Sequence, residues 1–262
     1  MKFTSVLSAV AALAVLTAPA MAGTDNSKNP PAMQVTQPDN GWWFRAAPYL
    51  WATAITGDVG VDPFATHVDL SIADLLKHFD MGFMMVLEGG YDRWGFGTDL
   101  IYARVSGSAD LRSGPFFNSA SLKLDEWYIT PRITYNVIKT DHADMDLLVG
   151  GRIFAMKTTL NLQGGLPAVH VEDTQGWIDP IVGFRGRDDL GDKFFFNYYG
   201  DIGGFDAASK ITWQAVAGFG YKINANSAVG VGYRALYDDY HRDGLLLKLL
   251  SHGPYIGYEY KW

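Results

Sequence analysis

The chain contains no cysteine, so neither disulfides nor thiolate metal sites can hold it together. Beyond its first residues it has no long apolar run, and nothing approaches the roughly eighteen consecutive apolar residues that a membrane helix needs. It is also short of positive charge: 21 Lys and Arg against 28 Asp and Glu leave −7 over 262 residues, which argues against nucleic acid as a partner. Its six histidines, His67, His78, His142, His170, His241 and His252, show neither H-x-H nor H-E-x-x-H spacing. That removes the common zinc-hydrolase patterns, and no metal or cofactor is expected.

The first residues carry an address. Lys2 precedes an apolar stretch from Val6 to Leu16, and Ala20-Met21-Ala22 then supplies the small-x-small pattern of signal-peptidase sites, so residues 1–22 read as a cleavable export leader. Removing it takes away Lys2 and no acid, so 20 basic residues face 28 acids and the mature charge is −8. Residues 23–40, with three prolines and no periodicity, read as a flexible periplasmic lead-in. From Gly41 to the end the texture is uniform, one domain over 41–262.

That texture is alternation. Aromatic residues make up 14% of the chain, glycines number 29, and mean hydropathy is only −0.01 because apolar and polar positions interleave. In GFMMVLEGGYD (82–92), Phe83, Met85, Leu87 and Tyr91 share one face, with Glu88 and Asp92 on the other. In EWYITPRITYNV (126–137), Trp127, Ile129, Ile133, Tyr135 and Val137 oppose Glu126, Thr130, Arg132, Thr134 and Asn136. Period two means extended strands. A soluble sandwich would also alternate, but in strands of about five or six residues. Here the segments run to ten or more, with aromatic apolar faces, which favours a membrane barrel.

Short connections at 92–95, 139–144, 188–193 and 223–227 alternate strictly with longer ones near 57–80, 107–118, 160–174, 204–210 and 238–246. Outer-membrane barrels have short periplasmic turns and longer external loops. The expected fold class is therefore all-β, a closed antiparallel transmembrane barrel of about ten strands, with both termini periplasmic. Twelve strands follow if GVDPFATHVDL (60–70) adds a hairpin, eight if two segments are loop. Trp42, Trp94, Tyr135, Phe194, Tyr221 and Trp262 fall at the short-turn ends on apolar-parity positions, and Tyr102, Trp213 and Tyr237 near the opposite rim, as interfacial aromatic girdles should. In LSIADLLKHFD (70–80), Ser71 and Asp74 are spaced as a capping box, and Ile72, Leu75, Leu76 and Phe79 recur at helical spacing. This predicts a short helix over 71–79 in the first external loop, its apolar stripe covered over the barrel mouth, within the lumen or against the lipid interface, with the mouth favoured.

The chain ends in YIGYEYKW, with Ile256, Tyr258, Tyr260 and Trp262 on one face. This resembles the C-terminal assembly signal of bacterial outer-membrane barrels. AVGVGYRALYDDY (228–240) and GDIGGFDAASKITWQAVAGFGYKI (200–223) resemble the small OmpA-like and OmpW-like barrel superfamily. The resemblance covers about 41–262. It implies the barrel fold, a place in the outer membrane of a Gram-negative bacterium among lipid and lipopolysaccharide, and insertion by the barrel assembly machinery. It carries no catalytic residues.

Chemistry then has to be sought on the inward face. By parity this collects Arg45, Arg132, Arg152, Arg185, Arg187, Lys222 and Arg234 against Glu88, Glu126, Asp99, Asp179, Asp201 and Glu259. The bland reading is an ion-pair network filling the lumen, and the sharper one a narrow channel for small polar solutes, tuned by those charges. Enzymatic signs are weak. YDDYHRDG (237–244) clusters Asp238, Asp239, His241 and Asp243 in an external loop, Ser251 and His252 are adjacent and so point to opposite faces, and DHADMD (141–146) lacks the glycine and terminal glutamate of an EF-hand. The reading is a non-enzymatic structural barrel or narrow pore. The alternatives are an outer-membrane enzyme acting on lipid or peptide and a surface protein that binds through its loops. Deleting Tyr260-Lys261-Trp262 is expected to abolish membrane assembly and leave the chain to periplasmic proteolysis. Normal outer-membrane levels with intact heat-modifiable gel mobility would refute the closing role of this strand.

Overall fold

A computed structural model describes residues 41–61, 64–110, 119–164 and 169–262; the leader and the lead-in lie outside them. The alternating segments form twelve strands and one helix: β1 (Trp42–Trp51), β2 (Ala54–Val61), β3 (Phe64–Leu70), α1 (Ile72–Leu76), β4 (Phe79–Tyr91), β5 (Trp94–Asp110), β6 (Ser119–Lys139), β7 (Ala143–Gln163), β8 (Val169–Asp189), β9 (Phe194–Gly204), β10 (Ile211–Lys222), β11 (Ser227–Arg242) and β12 (Leu245–Lys261). The ring runs β1-β4-β5-β6-β7-β8-β9-β10-β11-β12 and closes where β12 pairs back onto β1, so ten of the twelve strands form the barrel and β2 and β3 stand outside it. The segment 60–70 does belong to a hairpin, one added to the barrel's rim.

Burial runs opposite to that of a soluble protein. Ile178 is 58% exposed while the next residue, Asp179, is 0% exposed; Val231 is 55% exposed and Arg234 only 5%. Apolar side chains face outward and charged ones inward, the only arrangement that suits hydrocarbon outside and a polar lumen within. At the short-turn ends Trp94 stacks edge-on against Tyr135 at 4.9 Å and Phe194 against Tyr221 at 5.3 Å, while Trp42 meets Tyr91 and Trp262 meets Phe44. At the opposite rim Tyr102 lies 4.6 Å from Trp127 and Trp213 is 5.9 Å from Tyr237.

Apart from the one at 204–210, which falls where expected, the longer connections are shorter than alternation implied. β11 continues to Arg242 and meets β12 through Asp243-Gly244, with φ of 53° and 77°, the left-handed pair of a two-residue hairpin. Likewise β7 and β8 stay paired out to Leu162↔Val169. In these extensions the aromatic-outward signal disappears although the strands go on; in β11 the inward face stays buried at Tyr240 while His241 and Arg242 are exposed.

β12 serves two partners. Its lower half pairs with β1 (Ala46↔Tyr260, Trp51↔Tyr255) and its upper half with β2 (Ala54↔His252, Val61↔Leu245). On the far side of this long edge β4 covers Trp42 to Pro48, and β3 covers β2. α1 bridges β3 and β4. The Ser71 hydroxyl accepts from Asp74 N–H while the Ser71 backbone N–H donates to the Asp74 carboxylate, which closes the capping box; the Ser71 hydroxyl also donates to that carboxylate and holds it below its ordinary pKa. The helix stops at Leu76, short of the expected 79, because Phe79 is taken into β4 opposite Val105. Leu75 is fully buried against Ile55, Leu70 and Leu249, whereas Leu76 is exposed, so the helix packs on the base of the outer hairpin.

Gly57 fixes that hairpin. Its φ is +147°, and a Cβ there would collide with the Lys248 carbonyl. Gly57→Ala is therefore expected to detach β2 and β3 without opening the ring. Limited proteolysis should cut between 54 and 70 while heat-modifiable mobility persists; equal resistance to cleavage would refute this.

Candidate functional site in the barrel lumen

The lumen is a stack of charged layers. At the base, Glu88 on β4 receives Arg45 of β1 (3.0 Å from Nε), Arg132 of β6 and Arg185 of β8. Glu259 on β12 receives Arg45 at 2.9 Å and Arg187 of β8 at 2.6 Å. Asp146 accepts from Arg185 Nε at 2.8 Å and from Asn136 at 2.8 Å. One layer up, Arg234 on β11 donates to Asp99 on β5 at 2.8 Å and to Gln214 at 2.7 Å, and the Tyr49 hydroxyl also donates to Asp99 at 2.7 Å. Trp51, Met84, Ile101 and Leu236 form an apolar belt near this height. Above it, Arg152 reaches both oxygens of Asp201 at 2.8 Å and donates to Thr212, whose hydroxyl donates to Asp238.

Several bridges cross the barrel rather than run along its wall. Arg185 to Glu88, Arg187 to Glu259 and Arg234 to Asp99 each join strands four steps apart in the ring. The Tyr128 hydroxyl on β6 donates to Asp238 on β11 at 3.3 Å, from diametrically opposite strands. Beside that bridge an aromatic ladder spans Tyr128, Phe154, Trp177 and Tyr240, the last two stacked at 3.9 Å.

Of the inward charges expected from parity, Arg45, Glu88, Asp99, Arg132, Arg152, Arg185, Arg187, Asp201, Arg234 and Glu259 are brought into this stack. Lys222 pairs near the short-turn end with Asp189 at 2.5 Å. Among the described residues Asp179 meets no cation; it accepts instead from the backbone of Ala208 and Ser209 and from the Ser209 hydroxyl, pinning the β9–β10 loop. Glu126 forms no ion pair or hydrogen bond among the described residues. Sequence reasoning did not place Asp146, Asp189 or Asp238 in the lumen, reading Asp238 as external loop, and it missed the inward aromatics Tyr49, Trp51, Tyr128, Phe154, Trp177 and Tyr240. The same parity would have found them, since Asp238 and Tyr240 follow Arg234 at even spacing, as Phe154 follows Arg152.

The external acid and histidine cluster is divided by the strand that carries it. Asp238 is buried in the lumen while His241 is exposed. His252 bonds the outward Tyr233 hydroxyl at 2.5 Å, and Ser251 points the other way. Asp144 and Asp146 in the short turn region both bond Asn136, and no group of three metal-ligating residues occurs among the described residues.

No family model matches the chain, and no curated protein matches it in sequence. Among solved structures it is similar to the outer membrane protease OmpT from Escherichia coli, at 10% identity over 86% of this chain and 98% of that one, with a TM-score of 0.52. It also matches the translocator domain of the autotransporter NalP from Neisseria meningitidis (10% identity, 84% and 88% covered, TM-score 0.44) and the Yersinia pestis attachment invasion locus protein Ail (10%, 85% and 99%, TM-score 0.38). At such identity the likeness is one of fold, that of small outer-membrane barrels.

Arg152 and Asp201 are both nearly inaccessible, with side-chain exposures of 2% and 0%. Removing one member of such a pair strands a buried charge, at a cost of about 3–5 kcal/mol. Arg152→Ala is expected to lower stability to unfolding in detergent by that order. Adding Asp201→Ala should recover a large part of the loss. A single variant as stable as wild type would show that the pair is wet.

Proposed function

We infer that the chain is an integral outer-membrane barrel whose lumen is a closed, charge-lined interior: a structural barrel at rest, and at most a narrow path for small polar solutes. The observation that carries this reading is the set of side-chain bridges crossing the lumen at successive heights, Arg187 to Glu259, Arg185 to Glu88, Arg234 to Asp99 and Tyr128 to Asp238. A charge in so narrow and low-dielectric a space is held by a counter-charge, or by several hydrogen bonds as Asp179 is, since each uncompensated ion costs several kcal/mol, and pairing across the bore obstructs it. The leader, the outward aromatic girdles and the terminal Tyr260 and Trp262 support export, residence among outer-membrane lipid and lipopolysaccharide, and insertion by the assembly machinery. The OmpA-like and OmpW-like placement rests on sequence texture alone.

Hydrolysis is the second reading, prompted by the shared fold with an outer-membrane protease. It would need Asp238 and His241, which β11 holds on opposite faces, to act together.

Planar-bilayer recording of the purified protein tests the first reading. Small or intermittent wild-type current is expected. Arg234→Ala, which removes one crossbar and leaves Asp99 less neutralised, should raise conductance and shift it toward cations. A large steady wild-type current unchanged by Arg234→Ala would overturn the closed lumen, and reproducible peptide or lipid cleavage lost in His241→Ala would favour the enzyme.

A further inference from the structure

The lower lumen holds more positive charge than its own carboxylates neutralise. This chamber of ≈ 610 Å³ is lined by eight Arg and Lys side chains and six Asp and Glu, although acids outnumber bases 28 to 21 in the whole chain. The imbalance has a local origin. Arg45, Arg132 and Arg185 converge on the single carboxylate of Glu88, and Arg45 and Arg187 share Glu259. Asp146 adds one acceptor, to Arg185.

The arginines are left with donors to spare. Among the described residues the buried Nε–H groups of Arg132 and Arg187 have no hydrogen-bond partner, and Arg132 as a whole is only 7% exposed. The Arg187 guanidinium is held flat over the Phe195 ring, 3.4 Å from its centroid. Lys261 lies over the Trp43 ring at 5.4 Å, with Arg45 and Arg187, and the carboxylates of Asp144 and Glu259, as its charged neighbours. A rigid guanidinium with unused N–H groups presents the planar fork that matches carboxylate and phosphate oxygens, in a way that a spherical halide does not. Above the chamber, Arg234 with Asp99 and Arg152 with Asp201 close the route outward, so access is from the short-turn, periplasmic end.

We propose that this chamber binds a small oxyanion carrying two or more negative charges, with Arg132, Arg187 and Lys261 supplying the donors that the protein's own carboxylates leave unused. The assignment rests on the reading of the lumen as a closed, charged interior and gives that interior a ligand class; binding from the periplasmic end requires no current across the barrel.

The test is titration calorimetry of the detergent-purified full chain with inorganic pyrophosphate and, separately, citrate, at constant ionic strength set by sodium chloride. Saturable binding of either is expected, with chloride not competing. Arg187→Gln should weaken it about tenfold, the scale of one charge-assisted hydrogen bond, and Lys261→Gln severalfold. Lys157→Gln, outside the lumen and paired with Glu172, should leave it unchanged. If Arg187→Gln does not fold, Lys261→Gln carries the test. No saturable binding of either anion, or equal affinity in wild type and the Lys261→Gln variant, would overturn the proposal. Large wild-type current with pyrophosphate binding intact would overturn the closed lumen and leave the oxyanion site standing.

Discussion

The backbone in hydrocarbon has no water to bond with, and every other feature of the chain follows from meeting that demand by closing a ring. The joint is made by β12, whose Tyr260 sits opposite Ala46 on one side and Ser227 on the other. Once the ring is closed, its strands have one face in lipid and one in the lumen. The sequence must then alternate, with large apolar side chains outward and whatever remains inward.

What remains inward is mostly charge, and the confined bore governs how it is arranged. Guanidinium groups are long enough to reach across ten strands, and carboxylates are short enough to be fixed to their own wall. The bridges from Arg185 to Glu88 and Arg234 to Asp99 therefore act as crossbars that brace opposite walls and fill the space between them. Where the charges give way to Trp51, Met84, Ile101 and Leu236, packing takes over the same task. Bracing and obstruction are one arrangement seen in two ways, which is why a single substitution such as Arg234→Ala touches both stability and conductance.

Much of this was legible in the alternation. The ten barrel strands, the short-turn end, the girdle from Trp42 round to Tyr221, and the inward side of Arg152 all follow from a period of two. The pattern fell silent at two kinds of place. Beyond the outer rim the outward face no longer needs aromatic or aliphatic side chains, so the extension of β11 through the exposed His241 and Arg242 reads as loop. Inside, charge is the stronger signal, and it masks Tyr128, Phe154 and Trp177 although they share faces with Glu126, Arg152 and Asp179. Which arginine meets which carboxylate lay beyond sequence altogether, because Arg185 and Glu88 are 97 residues apart and meet only through the curvature of the ring. The same limit hid that Asp179 pins a loop instead of pairing with a cation.

The double pairing of β12 also concentrates two joints in one strand. Its lower half completes the ring against β1 and its upper half holds β2. Without those contacts β1 keeps only β4, and β2 keeps only β3, so the ring and the outer hairpin each acquire an unpaired strand edge. Losing this one strand therefore costs the fold its closure and its outer appendage together.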